Sequence, residues 1–525
     1  MRIPSFRHNK TDSVTEKPLP PPAPITTPDS HSSVSLSIHN RTSFEFLTHS
    51  HFGALHTGNG ITQRVASSSL PSSPVVPQDG FTPTAIAAGG EFGVRNTPVR
   101  VAPGGRVNVP GVKIQAATAA STGGYEVGLT LTPRAKGLGG YSASLSAPPP
   151  AKVQEVGPVG RLWKPLELTP TSSAVKTANL SPNPSKPSAA VQGVIALQST
   201  DPTTSTVHIL LLPQRDLSTW MTSLPSTDPI SSLCIPGTHE SCALYGWPIS
   251  ACQESTSSIA LQLSRGIRFL DVRLALKGTP GNQLLYAYHG VTDQKMEFSA
   301  ILSQVYTFLT QNPGETVLMS VKQENNMPGF LDSVFTYINK NLPQWWLGTG
   351  MPMLGEARGK IVLISRFGSS SSQPGGIHPP IWPDSSPTPF SYTLPDGNNV
   401  VTQDWYNISS LSAIPQKLAL ITGLLNTTGT DPKVLGLNYT NGSSFPFALP
   451  PWVAKGTGDQ SKAAQGGGWL SNIGVNALLV DLVAGRLQTV QTPRAGMMNI
   501  VAMDFFDQTG LGADLCSLLV QANFQ

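Results

Sequence analysis

The sequence predicts a mixed α/β fold: an irregular (β/α)8 barrel of the TIM type, preceded by an all-β, sandwich-like domain. Composition is the first observation, because 49 glycines, 48 prolines and only 12% charged residues favour strands and loops over long charged helices. The second is alternation of polar and apolar residues early in the chain, and the third is a later series of short apolar runs separated by helical segments. With 39% hydrophobic residues, a large core is possible.

Changes in composition divide the chain into four segments. The first is a proline-rich tail that is predicted to be disordered. The second alternates with period two, as in Val34–Ile38 and Tyr125–Leu131, which predicts antiparallel strands of a sandwich-like module without indicating its ligand. The third is a linker with two additional strand candidates, Val191–Leu197 and Val207–Leu212, and the fourth is the predicted barrel. The segments are residues 1–33, 34–147, 148–217 and 218–525.

The barrel is predicted from strands and helices in alternation. The clearest helix covers Glu297–Leu309, where apolar residues recur every three or four positions, and Asn312-Pro-Gly314 ends it. Short apolar runs typical of buried parallel strands occur eight times. These runs are Leu233–Pro236, Ile267–Val272, Leu284–Tyr288, Val317–Val321, Ile361–Ser365, Val400–Gln403, Val434–Leu437 and Asn499–Ala502.

Polar residues follow nearly every predicted strand. A (β/α)8 barrel carries its active site at the carboxyl ends of its strands, so such residues are expected to converge on one mouth. The alternative is a set of unrelated polar loop residues. The residues concerned are His239, Asp271, Arg273, His289, Lys322, Glu324, Arg366, Asp404, Tyr406 and Asp504.

Six motifs also resemble, in order and approximate spacing, the catalytic domain of bacterial-type phosphatidylinositol-specific phospholipase C, the X-domain family of PLC-like phosphodiesterases. The resemblance extends from about Ser218 to the C-terminus. The motifs are Pro236-Gly-Thr-His-Glu-Ser241, Phe269-Leu-Asp-Val-Arg273, Tyr288-His-Gly290, Ser320-Val-Lys-Gln-Glu324, Lys360-Ile-Val-Leu-Ile-Ser-Arg366 and Gln403-Asp-Trp-Tyr406.

The resemblance implies a catalytic role for five residues. His239 would be the general base that activates the inositol 2-hydroxyl, and His289 the general acid that protonates the leaving glycerol oxygen. Asp504 would orient His239, and Arg273 would neutralise charge on the phosphoryl oxygens. Glu240 stands where the family usually has aspartate, so its assistance to the leaving group is less well supported by the resemblance.

The resemblance also implies a substrate-binding set. Lys322, Glu324, Arg366 and Asp404 would bind the inositol hydroxyls and the phosphate, and Tyr406 would pack against the sugar ring. The alternative for these residues is a group of ordinary ion pairs at the barrel mouth.

We expect neither a metal ion nor another cofactor. Related metal-dependent enzymes surround Ca²⁺ or Mg²⁺ with carboxylates, whereas here a guanidinium stands two residues after Asp271 and would oppose a cation. If a metal did bind, Glu240, Asp271 and Glu324 would be its ligands.

Charge and hydropathy limit the partners. A net charge of +4 without a Lys/Arg-dense stripe argues against nucleic acid, and the sequence lacks both an apolar run of eighteen residues and a signal-like N-terminus. We therefore expect an intracellular or peripheral membrane protein that meets an inositol phospholipid at the bilayer surface. Trp247 and the Trp345-Trp346 pair are either interfacial anchors or core residues.

Some modifications and functions stay open at this stage. Cys242 and Cys252 could form a disulfide or remain reduced, and several Asn-x-Ser/Thr sequons would matter only in the secretory route. The leading hypothesis is a phosphodiesterase that converts phosphatidylinositol-type lipids to diacylglycerol and a cyclic inositol phosphate. The alternatives are a non-catalytic lipid- or glycan-binding barrel and a phosphodiesterase for another phospholipid headgroup.

Overall fold

A computed structural model describes most of the chain from residue 31 onward. The predicted tail up to residue 30 and most of the predicted linker lie outside the described residues. The described residues are 31–58, 61–64, 99–115, 122–134, 138–147, 162–170, 193–201, 206–279, 282–370, 372–373, 375–458, 471–489 and 492–525.

The first part of the described chain consists of two β-sheets. One has the strand order β5-β1-β11-β10-β8, and the other has the order β3-β2-β6-β7-β9 with β4 paired to β2. The strands are β1 (His31–Asn40), β2 (Phe46–Gly58), β3 (Ile61–Arg64), β4 (Val99–Val101), β5 (Arg106–Gln115), β6 (Thr122–Pro133), β7 (Tyr141–Ala147), β8 (Lys164–Pro165), β9 (Thr169–Pro170), β10 (Gly193–Asp201) and β11 (Thr206–Gln214).

The two sheets pack against each other through one apolar cluster. Leu36 and Ile38 of β1 are alternate residues on the same face of the first sheet, and they share this cluster with Phe46 and Leu131 of the second sheet. The later strand candidates join the first sheet, because β11 runs parallel to β1 and pairs antiparallel with β10. The first sheet therefore includes strands from within the predicted linker and extends to Gln214.

The second part is built on a larger, mainly parallel sheet. Among the described residues, eight consecutive strands run parallel in the order β17-β18-β16-β13-β12-β24-β21-β20, and β19 adds an antiparallel edge. The strands of this part are β12 (Ile235–Thr238), β13 (Phe269–Thr279), β14 (Asn282–His289), β15 (Thr292–Glu297), β16 (Val317–Gln323), β17 (Trp345–Trp346), β18 (Ile361–Arg366), β19 (Phe390–Thr393), β20 (Asn399–Gln403), β21 (Val434–Tyr439), β22 (Gly456–Thr457), β23 (Asn472–Ile473) and β24 (Asn499–Met503).

One predicted barrel strand is wrong in its role. The run Leu284–Tyr288 does form a strand, β14, but it pairs antiparallel with β13 and β15 and lies off the parallel path. Its place in the count of eight is taken by Trp345–Trp346, which the sequence left open as either membrane anchors or core residues. Trp345 is buried, and its indole Nε1 donates a hydrogen bond to the Tyr306 hydroxyl at 2.8 Å, so it is a core residue.

The helices pack around this sheet. The predicted helix at Glu297–Leu309 is confirmed as α2, and the apolar residues that recur along it are buried, namely Phe298, Ile301, Leu302, Val305, Phe308 and Leu309. The helices are α1 (Ile259–Ser264), α2 (Phe298–Gln311), α3 (Phe330–Asn339), α4 (Leu354–Ala357), α5 (Ile414–Thr428), α6 (Pro450–Lys455), α7 (Val475–Thr489) and α8 (Leu515–Ala522). Within the described part of the chain, no helix has the length and apolarity needed to cross a membrane.

The parallel sheet is strongly curved. Strands β18 and β21 are five steps apart in the strand order, which is about 24 Å in a flat sheet with strands ~4.8 Å apart. Yet Arg366 at the end of β18 lies with its guanidinium 3.5 Å from the Tyr439 hydroxyl at the end of β21. Curvature therefore brings the carboxyl ends of distant strands to one place.

The structure bears on the two open modifications, a Cys242–Cys252 disulfide and glycosylation of the sequons. Cys242 and Cys252 are both buried free thiols, so the structure contains no disulfide between them. Asn40, Asn438 and Asn441 are buried sequon asparagines, so the fold does not present them for glycosylation.

Candidate active site

The register of two neighbouring strands places His239 beside Asp504. Strands β12 and β24 run parallel with Thr238 opposite Met503, so the residues that follow them leave the sheet side by side. The His239 Nδ1 atom lies 2.8 Å from Asp504 Oδ1, and both side chains are buried. The predicted contact between these two residues is therefore present.

Hydrogen bonds fix the tautomer of His239. Nδ1 faces the Asp504 carboxylate and carries the proton, while Nε2 accepts from Arg273 Nη2 at 2.9 Å and lies 3.3 Å from Asn441 Nδ2. Burial, reinforced by the charge of Arg273, lowers the pKa of His239 well below its usual value. Burial also raises the pKa of Asp504, so both shifts oppose a separated ion pair. His239 thus has an unprotonated Nε2, as a general base requires.

Arg273 lies at the centre of the site, held by carboxylates. Its Nη1 atom is 2.8 Å from Glu240 Oε1 and 3.7 Å from Glu324 Oε1, and its Nη2 atom is 3.0 Å from Asp271 Oδ2. Burial opposes the charge, but Asp271, Glu240 and Glu324 together raise the pKa of Arg273 well above its usual value. The guanidinium is therefore a fixed positive charge next to the base.

His289 occupies a different environment from His239. It ends β14, and its Nδ1 donates to the Ser250 carbonyl at 2.8 Å, which turns Nε2 towards Glu240 Oε1 at 3.9 Å. Its side chain is 28% exposed, whereas that of His239 is 7% exposed. Since Glu240 touches Arg273 and faces His289, the two imidazoles lie on either side of an Arg273–Glu240 pair.

Glu240 adopts an unusual backbone conformation. Its φ angle is 45°, in the left-handed region that non-glycine residues seldom occupy, and its side chain is buried. Burial raises the pKa of Glu240, while Arg273 acts in the opposite direction. The longer glutamate side chain still reaches the position beside both Arg273 and His289.

The predicted substrate-binding residues lie at or just after the carboxyl ends of β16, β18 and β20, but they are paired differently from one another. Lys322 Nζ contacts Glu324 Oε1 at 2.8 Å, and Arg366 lies 3.4 Å from Asp271 Oδ1. The Tyr406 hydroxyl donates to Asp384 Oδ1 at 2.5 Å.

Trp382, which was not predicted from the sequence, contacts two of the predicted substrate-binding residues. The Arg366 guanidinium stacks 3.5 Å above the Trp382 ring, and Trp382 Nε1 donates to Asp404 Oδ2 at 2.8 Å. Burial raises the pKa of Asp404 and raises that of Tyr406 to about 12.

Several further site residues were missed by sequence reasoning. Trp382 and Asp384 lie in an irregular segment between β18 and β19, where no strand end marks them. Tyr439 was missed because the predicted strand stopped at Leu437, two residues before β21 ends. Its ring meets the His239 ring edge-on at 5.9 Å. Asn441, two residues further, stood out in the sequence only as part of an Asn-x-Ser/Thr sequon, which does not predict a place in the site.

Some polar atoms of the site lack partners within the protein. Among the described residues, Arg366 Nε, Asp404 Oδ1 and Asn441 Oδ1 are buried without a hydrogen-bond partner. Buried polar groups are normally paired, so these atoms are suited to a ligand rich in hydroxyl and phosphoryl groups. They combine one donor with two acceptors.

A metal ion is poorly matched to the donor atoms present. His239, Cys252 and Asp504 offer three ligand atoms within 4.8 Å of one another. Burial raises the pKa of Cys252 well above its usual value, so the thiol stays protonated and is a weak ligand. The carboxylates that could bind a hard cation surround the Arg273 guanidinium instead.

Comparison with known proteins gives the site its context. Residues 227–367 match the family described as phosphatidylinositol-specific phospholipase C, X domain. This part of the chain resembles an X domain of that family. A 1-phosphatidylinositol phosphodiesterase of Listeria monocytogenes is 31% identical over 158 residues, which cover 28% of this chain and 48% of that enzyme. The alignment thus spans about half the length of this relative.

Two further matches cover longer stretches of the chain. An enzyme of the same name from Staphylococcus aureus is 26% identical over 231 residues, covering 40% of this chain and 70% of the enzyme. A crystal structure of phosphatidylinositol-specific phospholipase C from Staphylococcus aureus has a TM-score of 0.46 and 19% identity, covering 59% of this chain and 98% of the other. His239, Arg273 and His289 lie inside the matched X domain, whereas Asp404 and Asp504 follow it.

Proposed function

We propose that the protein is a phosphodiesterase that cleaves phosphatidylinositol-type phospholipids into diacylglycerol and a cyclic inositol phosphate. The observation that carries the proposal is the pair of imidazoles on either side of Arg273, one with an unprotonated Nε2 and the other facing a carboxylate. The names of the two bacterial relatives point to the same activity.

The proposed reaction uses the two histidines in sequence. His239 Nε2 removes the proton from the inositol 2-hydroxyl, and that oxygen forms a bond to phosphorus. The bond between phosphorus and the glycerol oxygen breaks, and His289 donates a proton to the departing oxygen. Arg273 binds the phosphoryl oxygens, where negative charge accumulates in the transition state. Asp504 holds His239 in the required tautomer, and no metal ion or cofactor takes part.

We assign inositol binding to a second group of residues, which we call the inositol-binding wall: Lys322, Glu324, Arg366, Asp404 and Tyr406. The unpartnered Asp404 Oδ1 would accept from a hydroxyl, and Arg366 would donate from Nε. Lys322 and Glu324 form an ion pair near Arg273, where they can contact phosphate and hydroxyl groups. Tyr406 supplies an aromatic face for the ring.

We further propose that the curved parallel sheet forms an irregular (β/α)8-type barrel and that the two preceding sheets form a separate β-sandwich domain of unassigned ligand. The contact between Arg366 and Tyr439 across five strand steps supports the barrel. The cluster of apolar residues shared by the two sheets supports the sandwich. The catalytic domain would begin near residue 218, immediately after β11.

Exposed aromatic side chains support peripheral attachment to a bilayer. Trp247, Phe445 and Phe447 are 60%, 70% and 68% exposed. They lie in the segments that follow β12 and β21, on the carboxyl side of the parallel strands where the site opens. Aromatic residues favour the membrane interface, so this rim would hold the site against its lipid substrate.

The proposal is tested by measuring diacylglycerol release from a panel of phospholipid vesicles. The parent protein should act on phosphatidylinositol, and His239→Ala and His289→Ala should each abolish turnover. Turnover of another phospholipid alone would reassign the headgroup. Lipid binding without turnover by the parent protein would favour the non-catalytic alternative.

A further inference from the structure

A buried lysine behind the site has no assigned role. Lys417 lies in the first turn of α5, fully buried, and among the described residues it takes part in no salt bridge. Its ammonium Nζ donates to Gln403 Oε1 at 3.2 Å and to the Trp405 carbonyl at 2.5 Å. An ammonium group without a direct carboxylate partner is costly to bury, so we looked for a role in the contacts that it makes.

Gln403 connects Lys417 to the neighbouring strand β21 through further hydrogen bonds. Its Oε1 also accepts from the Trp405 amide at 2.9 Å, and its Nε2 donates to Asn438 Oδ1 at 2.9 Å and to the Tyr439 carbonyl at 2.8 Å. Asn438 returns to α5 by donating to the Ile421 carbonyl at 2.9 Å. The hydrogen bonds therefore form a closed circuit through α5, β20 and β21.

This circuit holds two segments of the active site. One is Gln403–Tyr406, which carries Asp404 and Tyr406 on the inositol-binding wall. The other is Asn438–Asn441, in which Tyr439 packs edge-on against His239 and Asn441 Nδ2 lies 3.3 Å from His239 Nε2. The hydrogen bonds of Lys417 and Gln403 thus hold both the segment that carries Asp404 and Tyr406 and the segment that contacts His239.

The charge of Lys417 also acts on the site. Burial lowers the pKa of Lys417 to about 7, against the opposing effect of the Asp404 and Asp504 charges. In turn, Lys417 contributes to lowering the pKa of His239, after burial and the larger effects of Arg273 and His289. The two carboxylates that interact electrostatically with Lys417 are therefore a predicted substrate-binding residue, Asp404, and the partner of His239, Asp504.

We propose that Lys417 and Gln403 form a positioning pair that holds the inositol-binding wall and the general base in their catalytic arrangement. The inference rests on the proposed phosphodiesterase function. Lys417 acts through its neighbours and does not itself touch the substrate.

The test compares Lys417→Met and Lys417→Gln with the parent and with the control Lys433→Met, which removes an exposed lysine near the start of β21. Lys417→Met should lower kcat for phosphatidylinositol by about 10- to 100-fold, the effect of losing hydrogen bonds to a charged group. Lys417→Gln keeps a donor without the charge and should lose less. Lys433→Met should match the parent.

Two pH measurements separate positioning from plain stabilisation. Above pH 7 the parent should lose activity as the Lys417 ammonium loses its proton. The pH–activity profile of Lys417→Met should lack this step. Stability should change in the opposite sense, because between about pH 7 and 10 the unfolded lysine keeps its proton while the buried one loses it. The melting temperature of the parent relative to Lys417→Met should therefore rise over this range.

The outcomes distinguish the two proposals. A Lys417→Met protein with the kcat, KM and pH profile of the parent would overturn the positioning role. Absence of turnover in the parent would instead overturn the proposed function, while the pH dependence of the melting temperature would still report on the buried ammonium. If Lys417→Met does not fold, Lys417→Gln carries the same comparison.

Discussion

Replacing Asp504 with asparagine should damage catalysis more than replacing it with alanine. In the parent, Asp504 Oδ1 accepts the His239 Nδ1 proton at 2.8 Å, which leaves Nε2 free to accept from Arg273. An asparagine amide in the same place can donate to Nδ1, which moves the imidazole proton to Nε2. That is the atom that must remove the proton from the inositol hydroxyl, so the base would be blocked.

The expected magnitude has two parts. Loss of a charge-assisted hydrogen bond costs about 1.5–3 kcal/mol, which corresponds to roughly 10- to 100-fold in rate and applies to Asp504→Ala. Inversion of the tautomer adds to this loss in Asp504→Asn. The same exchange in a Ser-His-Asp triad costs about 10⁴-fold, so we expect a loss between about 10² and 10⁴.

The assay is formation of cyclic inositol phosphate from phosphatidylinositol vesicles, followed by phosphorus NMR. Asp507→Asn is a matched control, because it makes the same chemical change at an exposed position three residues along the same loop. Melting temperatures of the variants would exclude unfolding as the cause. If Asp504→Asn were as active as the parent, or more active than Asp504→Ala, the assignment of His239 as an Asp504-oriented base would be refuted.

Two other changes address the neighbouring charge and the lipid surface. Glu240→Gln should reduce kcat by about 10- to 100-fold, because Arg273 and His289 both lose the carboxylate between them, and unchanged kcat would remove Glu240 from the mechanism. The double change of Phe445 and Phe447 to serine should weaken vesicle binding at least about 10-fold, given about 1.5–3 kcal/mol per buried Phe side chain. Turnover of a soluble short-chain substrate should be unaffected. The control is Leu342→Ser, which changes a residue that is 48% exposed and precedes β17. Equal vesicle binding by the double variant and by this control would contradict the role of the aromatic rim.

The parts of the site that sequence could predict are those that follow regular strands. His239 and Asp504 stand directly after β12 and β24, and Arg273 lies one residue before the parallel pairing of β13 ends. Their convergence needs only the rule that carboxyl ends of parallel strands share one edge. Strand β14 was wrongly counted among the eight parallel strands, because an apolar run does not reveal whether it pairs parallel or antiparallel with its neighbour.

The parts that could not be predicted depend on irregular backbone or on tertiary burial. Trp382 reaches the site from a segment without regular structure, so no periodicity points to it. Lys417 did carry a signal that was not used, because it lies on the apolar stripe of α5, three residues after Ile414 and four before Ile421. A lysine on such a stripe could equally extend past it to solvent, and only the fold decides that it is buried.

The pairing of β1 has a consequence for synthesis of the chain. On one side β1 meets β5, but on the other it pairs with β11, and the partners Ser35 and Thr206 are 171 residues apart. At about 5–20 residues per second, a ribosome needs roughly 10 to 30 s to make the intervening polypeptide. During this time one edge of β1 has no native partner and can pair with other nascent chains. A pause or a truncation before Gln214 should therefore promote aggregation, whereas completion of β11 supplies the second partner of β1 before the parallel sheet is made.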